Sequence, residues 1–226
     1  MRLRSMPHNT IIRISRIYHP LHSLGPGKRI GIWLQGCSLA CDGCMSKHTW
    51  DKEAGHSYSR QEILKKVENI YSDSNTNVDG ITFSGGEPFE QGDSFISLVK
   101  HIKTWRDETN KSLDLLCYTG FRWASIEKRF PTALDMFDGI ISEPYSKIDN
   151  NNNPIMGSSN QLLHHLTPLG KEKYNDEWQV LSDRKIDVVV DNNSVSVIGI
   201  PNQGDLDKLV KLCETKGLTL EGLSWS

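Results

Sequence analysis

No stretch of this sequence is apolar for long. Its purely aliphatic or aromatic runs are only a few residues, such as Val188-Val189-Val190. A bilayer span needs roughly 20, so no membrane-crossing segment is expected. The opening segment, MRLRSMPHNTIIRISRIYHP, is basic but lacks the continuous apolar stretch of a secretory signal. Charge of one sign is missing too. Lys and Arg number 26 against 28 Asp and Glu, a formal net charge of −2. That balance gives no basic field for nucleic acid and no acidic tail. The small basic clusters Lys100/Lys103 and Lys171/Lys173 read as solvated helix faces. No internal repeat is present. A cytoplasmic, reducing location is the expectation, and there clustered cysteines serve metals or redox chemistry rather than disulfides.

Cysteine is scarce as well, at five residues among 226, yet three of them fall within eight positions. The stretch GIWLQGCSLACDGCMSKHTW, residues 31–50, carries Cys37, Cys41 and Cys44 as C-x3-C-x2-C. Cys117 lies in an apolar run and Cys213 in a helical pattern, so both read as buried structural thiols. The chain length suits one large domain, or one domain with an appendage.

Hydrophobic patterning places these cysteines. RIGIWLQ, residues 29–35, reads as a strand ending at Cys37. Ser59-Arg60-Gln61-Glu62 is a capping box, opening a helix with Ile63, Leu64, Val67, Ile70 and Tyr71 on one face. GITFSGGEP (80–88) is a strand running into a glycine turn. A helix follows over 93–107, with Phe95, Leu98, Val99, Ile102 and Trp105 inward. LDLLCYTG (113–120) and DGIISEP (138–144) are two more strands, with a short helical stretch near 123–137 between them. Strand and helix alternate, which predicts an α/β fold on a parallel sheet with right-handed crossovers.

The pattern then changes. KIDNNNNPIMGSSNQ is a long polar loop whose Asn run is low in complexity and expected to be mobile. NQLLHHL reads as one or two helical turns. KIDVVVDNNSVSVIGI (185–200) is a hairpin of two strands, a helix covers 203–216, and an extended LTLEGL follows. The expected organisation is a core over 1–177 and an extension over 178–226 packed on it.

In α/β sheets and barrels, sites gather at the C-terminal ends of the strands. Cys37, Gly85-Gly86-Glu87-Pro88, Tyr118-Thr119-Gly120 and Glu143-Pro144 each follow a predicted strand, so four unusual turns would meet on one rim. Two metal readings fit three clustered thiols. His48 follows Cys44 at a spacing that allows a Cys3His structural zinc. A [4Fe-4S] cluster normally takes four cysteines; three would leave one iron open to a small molecule.

C-x3-C-x2-C after the first strand and GGEP after the second resemble the radical S-adenosylmethionine (SAM) superfamily. Within it, QGC…C.GC…TW, SGGEP, YTGF, Gly25-Pro26-Gly27 and Gly157-Ser158-Ser159-Asn160-Gln161 are similar to the activating enzymes of glycyl radical enzymes. These are the activases of anaerobic ribonucleotide reductase and of pyruvate formate-lyase. The likeness covers about residues 20–165, and residues 170–226 have no counterpart in the short reductase activases. It implies an incomplete parallel βα barrel of radical SAM type, with the hairpin and last helix added.

The resemblance also implies roles. Cys37, Cys41 and Cys44 would ligate the cluster, whose open iron would chelate the amino and carboxylate groups of SAM. One electron, from a donor such as flavodoxin or ferredoxin, would cleave SAM to methionine and a 5′-deoxyadenosyl radical, which takes hydrogen from a protein or peptide substrate. Gly85, Gly86, Glu87 and Pro88 would meet the amino end of SAM. Gly43 and Met45 would lie near its adenine, and Tyr118, Thr119 and Gly120 would line its pocket. Three departures together fit a target other than the housekeeping reductase: Ser46 stands where the activases usually carry Asn, Pro154-Ile155-Met156 precedes GSSNQ where an aromatic-Arg pair is commoner, and the hairpin and last helix are extra. Two other functions stay open: a radical SAM enzyme acting on another peptide, protein or small molecule, and a zinc- or cluster-bearing binding protein.

Overall fold

The structure, a computed structural model, describes residues 11–73, 75–109, 111–149, 153–191 and 194–220. Asn150 to Asn152, most of the expected mobile Asn run, lie outside the described residues, as does the end of LTLEGL. Two strands that patterning did not predict come first among the described elements, and a predicted one lies between them. They are β1 (Ile11–Leu21), the predicted β2 (Arg29–Leu34) and β3 (His56–Ser59). Helix α1 (Arg60–Ser72) follows, with both halves of the Ser59/Glu62 capping box formed. Then come β4 (Gly80–Gly85), α2 (Asp93–Glu108), β5 (Asp114–Tyr118), α3 (Trp123–Arg129) and β6 (Gly139–Ser142).

Leu162–His165 is a strand, β7, not the helical turns expected of NQLLHHL. Four residues are too few for a period of 3.6 to express itself. Pairing decides instead: β7 runs antiparallel to β6, with His165 opposite Gly139 and Leu162 opposite Ser142. Two short helices were also not foreseen, α4 (Pro168–Lys173) and α5 (Asp176–Leu181). Their caps were legible, since Thr167 and Asn175 each accept a backbone N–H three residues on. The extension holds the predicted hairpin β8 (Ile186–Asp191) and β9 (Ser194–Gly199), then α6 (Asp205–Thr215).

The main sheet is open, mixed and mostly parallel, in the order β3-β1-β2-β4-β5-β6-β7. The β2-β4-β5-β6 run is parallel, flanked by antiparallel strands. Alternation gives the sheet two faces. Ile30, Ile32 and Leu34 of β2, Ile81 and Phe83 of β4, and Leu115 and Cys117 of β5 join one cluster with Ile63, Val67, Phe95, Leu98 and Ile126 of α1, α2 and α3. That is the helix face, and Cys117 is buried in it as expected. Cys213 is only partly covered on α6, contrary to expectation. Helix α6 has an apolar stripe but no buried residue, so its cysteine has no core to enter.

The opposite face carries Arg29, Gly31 and Trp33 of β2, Thr82 and Ser84 of β4, and Asp114, Leu116 and Tyr118 of β5. The loop before β2, residues 154–156, Tyr174, Trp178 and the β8–β9 hairpin cover it. Its lower end, where these strands begin, is closed by an ion network. Arg29 donates to Asp114 Oδ2 at 2.5 Å and Oδ1 at 3.1 Å. Lys173 Nζ reaches Asp114 Oδ1 at 3.0 Å, and the Tyr174 hydroxyl donates to Oδ2. Burial alone would raise the Asp114 carboxyl; Arg29, then Lys173 and Tyr174, outweigh it and hold it below the usual carboxylate range. The network closes the strand starts themselves; a small cavity beside them is lined by the loop before β2, from His22 to Gly27, with Ile155 and Trp178.

Candidate metal centre

At the upper rim, β2 ends in the buried Gln35 and then Gly36, whose φ of +98° turns the chain into the cysteine loop. Two further positive φ values, at Ala40 (46°) and Gly43 (73°), fold the loop back on itself. Its return limb closes onto its start. Gly36 N–H donates to Thr49 O at 2.7 Å and Cys37 N–H to Trp50 O at 3.1 Å. Ser38 is fastened to Glu90 Oε1 through its N–H (3.0 Å) and its hydroxyl (2.5 Å).

Three residues with no role assigned from the sequence do this holding. Gln35 Nε2 donates to His48 O (3.2 Å) and Asp51 O (2.8 Å), spanning the neck of the loop. Gln91 Nε2 donates to Gln35 O (3.0 Å) and Arg13 O (2.7 Å), tying β1 and β2 together below it. Glu90 is the third. Their only signal was a short polar residue run beside each motif, Gln35 before Gly36-Cys37 and Glu90-Gln91 after GGEP, which does not by itself reveal a partner.

All three thiols, Cys37, Cys41 and Cys44, are half-buried and free of disulfides. Burial pushes the Cys37 thiol up to about 11, and the Glu87 and Glu90 charges add to it. Burial and then the neighbouring Cys44 push Cys41 up as well, while the Tyr145 backbone N–H pulls the other way. Cys44 Sγ accepts the Ser46 N–H at 3.3 Å, so the residue that departs from the activase pattern touches the third thiol through its backbone. Lys147, after β6, lies along Gly43, where an added Cβ would come 3.1 Å from its stem. Met45 is half-buried beside the third thiol.

The GGEP turn sits against this loop. Gly86 N–H donates to Leu34 O and Glu87 N–H to Gly36 O, both at 2.8 Å. A Cβ on Gly85 would stand 2.5 Å from Leu34 O, and one on Gly86 2.2 Å from Gly36 O. Both glycines are thus required by the close approach of two backbones. Gly85 takes the left-handed angle, with φ of +107°. Pro88 is buried and opens a 3-10 turn.

Glu87 is buried, and its carboxylate joins two turns. Oε1 accepts from Phe89 N–H (3.0 Å) and the Thr119 hydroxyl (2.8 Å); Oε2 accepts from Gly120 N–H (2.7 Å). Burial pushes its pKa up to about 7, against these three bonds. Gly120 in turn faces the cysteine loop, for an added Cβ would lie 2.4 Å from Leu39 Cδ1. The fourth turn closes the ring: Thr119 N–H donates to Ile141 O at 2.9 Å, and Glu143 N–H to Phe121 O at 3.1 Å. The four turns expected on one rim do meet there. Just below them Trp33, Ser84 and Tyr118 form a row across the second face, with Tyr118 OH donating to Ile155 O at 2.9 Å.

Among the described residues, no group of three or more His, Cys, Asp or Glu side chains draws together for a single ion. His48 is exposed, and its part in the loop is to offer its carbonyl to Gln35. A closed Cys3His zinc site is therefore not built here. The donor set suits a cluster, whose thiolates bind different irons and need not converge on one point. A buried indole donor on the same loop, Trp50 Nε1, has no protein partner. The described residues include no helix long and apolar enough to cross a membrane.

Comparison with known proteins agrees with this donor set. Residues 23–164 match the family described as 4Fe-4S single cluster domain. The anaerobic ribonucleoside-triphosphate reductase-activating protein of Vibrio cholerae is 28% identical over 156 residues, covering 66% of this chain and 96% of that protein. The protein of the same name from Escherichia coli K12 is 26% identical over 153 residues, with the same two coverages. The pyruvate formate-lyase-activating enzyme of Clostridium pasteurianum is 34% identical over 89 residues, covering 38% of this chain and 37% of that enzyme.

Proposed function

The chain belongs to the 4Fe-4S single cluster domain family, and on that premise we propose that it is a radical SAM oxidoreductase that activates a glycyl radical enzyme. Relatives named as activating enzymes support the reading. The observation that carries it is the closed rim: three free thiols on one loop, and two glycine turns joined to that loop through Glu87. Cys37, Cys41 and Cys44 would hold the cluster. When bound, a [4Fe-4S] cluster with SAM on its open iron supplies reductive sulfonium cleavage and hydrogen abstraction.

The protein's share is placement and exclusion of water. Gly85, Gly86 and Pro88 set the turn that meets the amino end of SAM, and Glu87 fixes that turn against Thr119 and Gly120. Gly43 and Met45 flank the adenine, and Tyr118 walls the pocket from below. Burial favours the protonated thiol at Cys37 and Cys41, so cluster assembly releases protons there. The β2-β4-β5-β6 run is the core of an incomplete barrel of radical SAM type, with residues 1–177 as core and 178–226 as extension. The target is a protein, the electron donor a flavodoxin or ferredoxin, and the location cytoplasmic.

A second reading keeps the chemistry and changes the target to another peptide, protein or small molecule. The extension on the second face of the sheet favours it. Anaerobic reconstitution with iron, sulfide and a strong reductant tests both. Roughly four irons per chain and 5′-deoxyadenosine from SAM are expected. A fully loaded, reduced sample that leaves SAM intact would overturn both readings. Transfer of a glycine α-deuterium from a glycyl radical enzyme into 5′-deoxyadenosine separates the first from the second.

A further inference from the structure

The loop before β2 turns its carbonyls toward the sheet. Leu24 O accepts from Thr82 Oγ1 at 2.8 Å, and Pro26 O from Arg29 Nη1 at 3.1 Å. The peptide units that follow Leu24 and Pro26 are trans, and in a trans unit the N–H points opposite to the C=O. The N–H groups of Gly25 and Gly27 are therefore turned away from the sheet. Among the described residues neither meets a protein acceptor. The loop's flanks do: His22 N–H donates to Asp187 Oδ2 at 3.0 Å, and Lys28 N–H to Asp79 Oδ2 at 2.7 Å. Only glycine lets the loop lie so close, since a Cβ on Gly25 would stand 2.8 Å from Arg29 Nε.

Gly25 and Gly27 line a cavity of about 40 Å³ that is partly open to solvent. That is room for roughly three waters or, with one side open, a single tetrahedral oxyanion. Ser23 lines it too. This residue is 3% exposed, and its buried hydroxyl has no protein partner. A buried hydroxyl left unsatisfied is costly, so its partner has to come from the cavity. The facing wall belongs to the C-terminal extension and includes Ser182, Asp183 and Lys185. Lys185 makes no ion pair among the described residues. Asp183 is the only acid among the described lining residues, and it is exposed.

This set of groups favours an anion. A cation needs acceptors, and the two loop carbonyls are engaged on the far side. What lines the cavity is two free amides, a free hydroxyl and Lys185, the donor types that hold an oxyanion in a backbone concavity. We propose that this cavity is an oxyanion site, taking phosphate as the free ion or as the end of a phosphate monoester, and that the bound oxyanion clasps the C-terminal extension to the loop before β2. Ser182 and Lys185 lie beyond the matched segment 23–164, so the site comes with the extension. A ligand that needs both walls stabilises their closed arrangement by mass action. The negative charge of Asp183 opposes the ligand and weakens the site.

The test titrates inorganic phosphate into the cluster-loaded full chain by calorimetry, with ionic strength held constant by chloride. Amide exchange of peptides covering 22–28 is followed in parallel by mass spectrometry. Saturable binding is expected, and exchange in that loop slows as the site fills. Lys185→Ala and Ser23→Ala each weaken binding by about tenfold, the loss expected for one charge-assisted bond. Asp183→Asn tightens it, and Lys128→Ala on the exposed side of α3 leaves it unchanged. If Ser23→Ala fails to fold, Lys185→Ala and Asp183→Asn, both at exposed positions, carry the test. Methyl phosphate tells the two sources apart: tighter binding than phosphate marks a monoester and weaker binding the free ion, and either supports the site. Heat that fails to saturate by roughly 10 mM phosphate would overturn it and leave the cavity to water. So would equal affinities in Lys185→Ala and Lys128→Ala.

Discussion

Glu87 Oε2 accepts the Gly120 backbone N–H at 2.7 Å, which makes the turn after β4 and the turn after β5 one rigid unit. The neighbouring Oε1 is already shared between Phe89 N–H and the Thr119 hydroxyl. Glu87→Gln keeps the shape but sets an amide NH2, which cannot accept, opposite the Gly120 donor. The expected cost is about 1–3 kcal/mol for a buried donor left unsatisfied. Urea unfolding of the cluster-free chain measures it. SAM cleavage should fall with it, since the two turns then move independently. Unchanged stability and turnover would mean that this carboxylate links nothing.

The same carboxylate gives a pH dependence of known sign. Its pKa rises from 4.5 unfolded to about 7 folded. The folded state therefore holds a proton that the unfolded state has lost, and stability falls as pH climbs between those values. The contribution is fully present below 4.5, gone above about 7, and on the order of 3 kcal/mol. The urea midpoint of the native chain should fall as pH rises from 5 to 8 while that of Glu87→Gln changes less, so the gap between them should shift with pH. A constant gap would contradict it.

Much of this rim was legible in the sequence, because it depends on residue types that have few other uses. Three cysteines in eight positions and a glycine pair after a strand announce themselves. The parallel run and the hairpin followed from hydrophobic period and turn residues. What stayed hidden is what depends on partners far along the chain. Strand β1 was missed because basic residues interrupt its Ile12 and Ile14 pattern; only pairing with β2 and β3 makes it a strand. Gln35 and Gln91 look like ordinary polar residues until the carbonyls they bridge are known. The sequence likewise suggested that Glu87 would face a ligand, and gave no sign of its bonds to Thr119 and Gly120.

Gln35 yields a prediction of its own. Its side chain satisfies the carbonyls of His48 and Asp51 and holds the neck of the cysteine loop. Gln35→Leu preserves the volume and removes both bonds, so about 1–3 kcal/mol of stability should go. Iron per chain after reconstitution should drop further than in Gln91→Leu, whose bonds lie below the loop. Equal iron retention in the two variants would count against the neck.

Cysteine substitutions separate ligands from core. Cys37→Ala, Cys41→Ala and Cys44→Ala should each lose the cluster's visible absorption and abolish 5′-deoxyadenosine formation. Cys117→Ala deletes a buried thiol from the helix face, so it should cost about 1 kcal/mol of stability and leave iron content whole. Full SAM cleavage by any of the first three, or marked iron loss from the fourth, would redraw the ligand set.

The ion network at the lower end should matter for folding and not for the metal. Asp114 accepts from Arg29, Lys173 and Tyr174 while fully buried. Asp114→Asn leaves Arg29 without its counter-charge, and breaking a buried pair in this way costs about 3–5 kcal/mol. Because the Asp114 pKa is lowered on folding, its contribution is present above about 3.8 and is lost as pH falls through the folded value. The native chain should therefore lose stability in acid more steeply than Asp114→Asn. Cluster content at low temperature should be equal in the two, since the thiols stand at the opposite ends of the strands. Loss of iron from a folded Asp114→Asn chain would mean that the network reaches the rim, and that the two ends of the sheet are coupled.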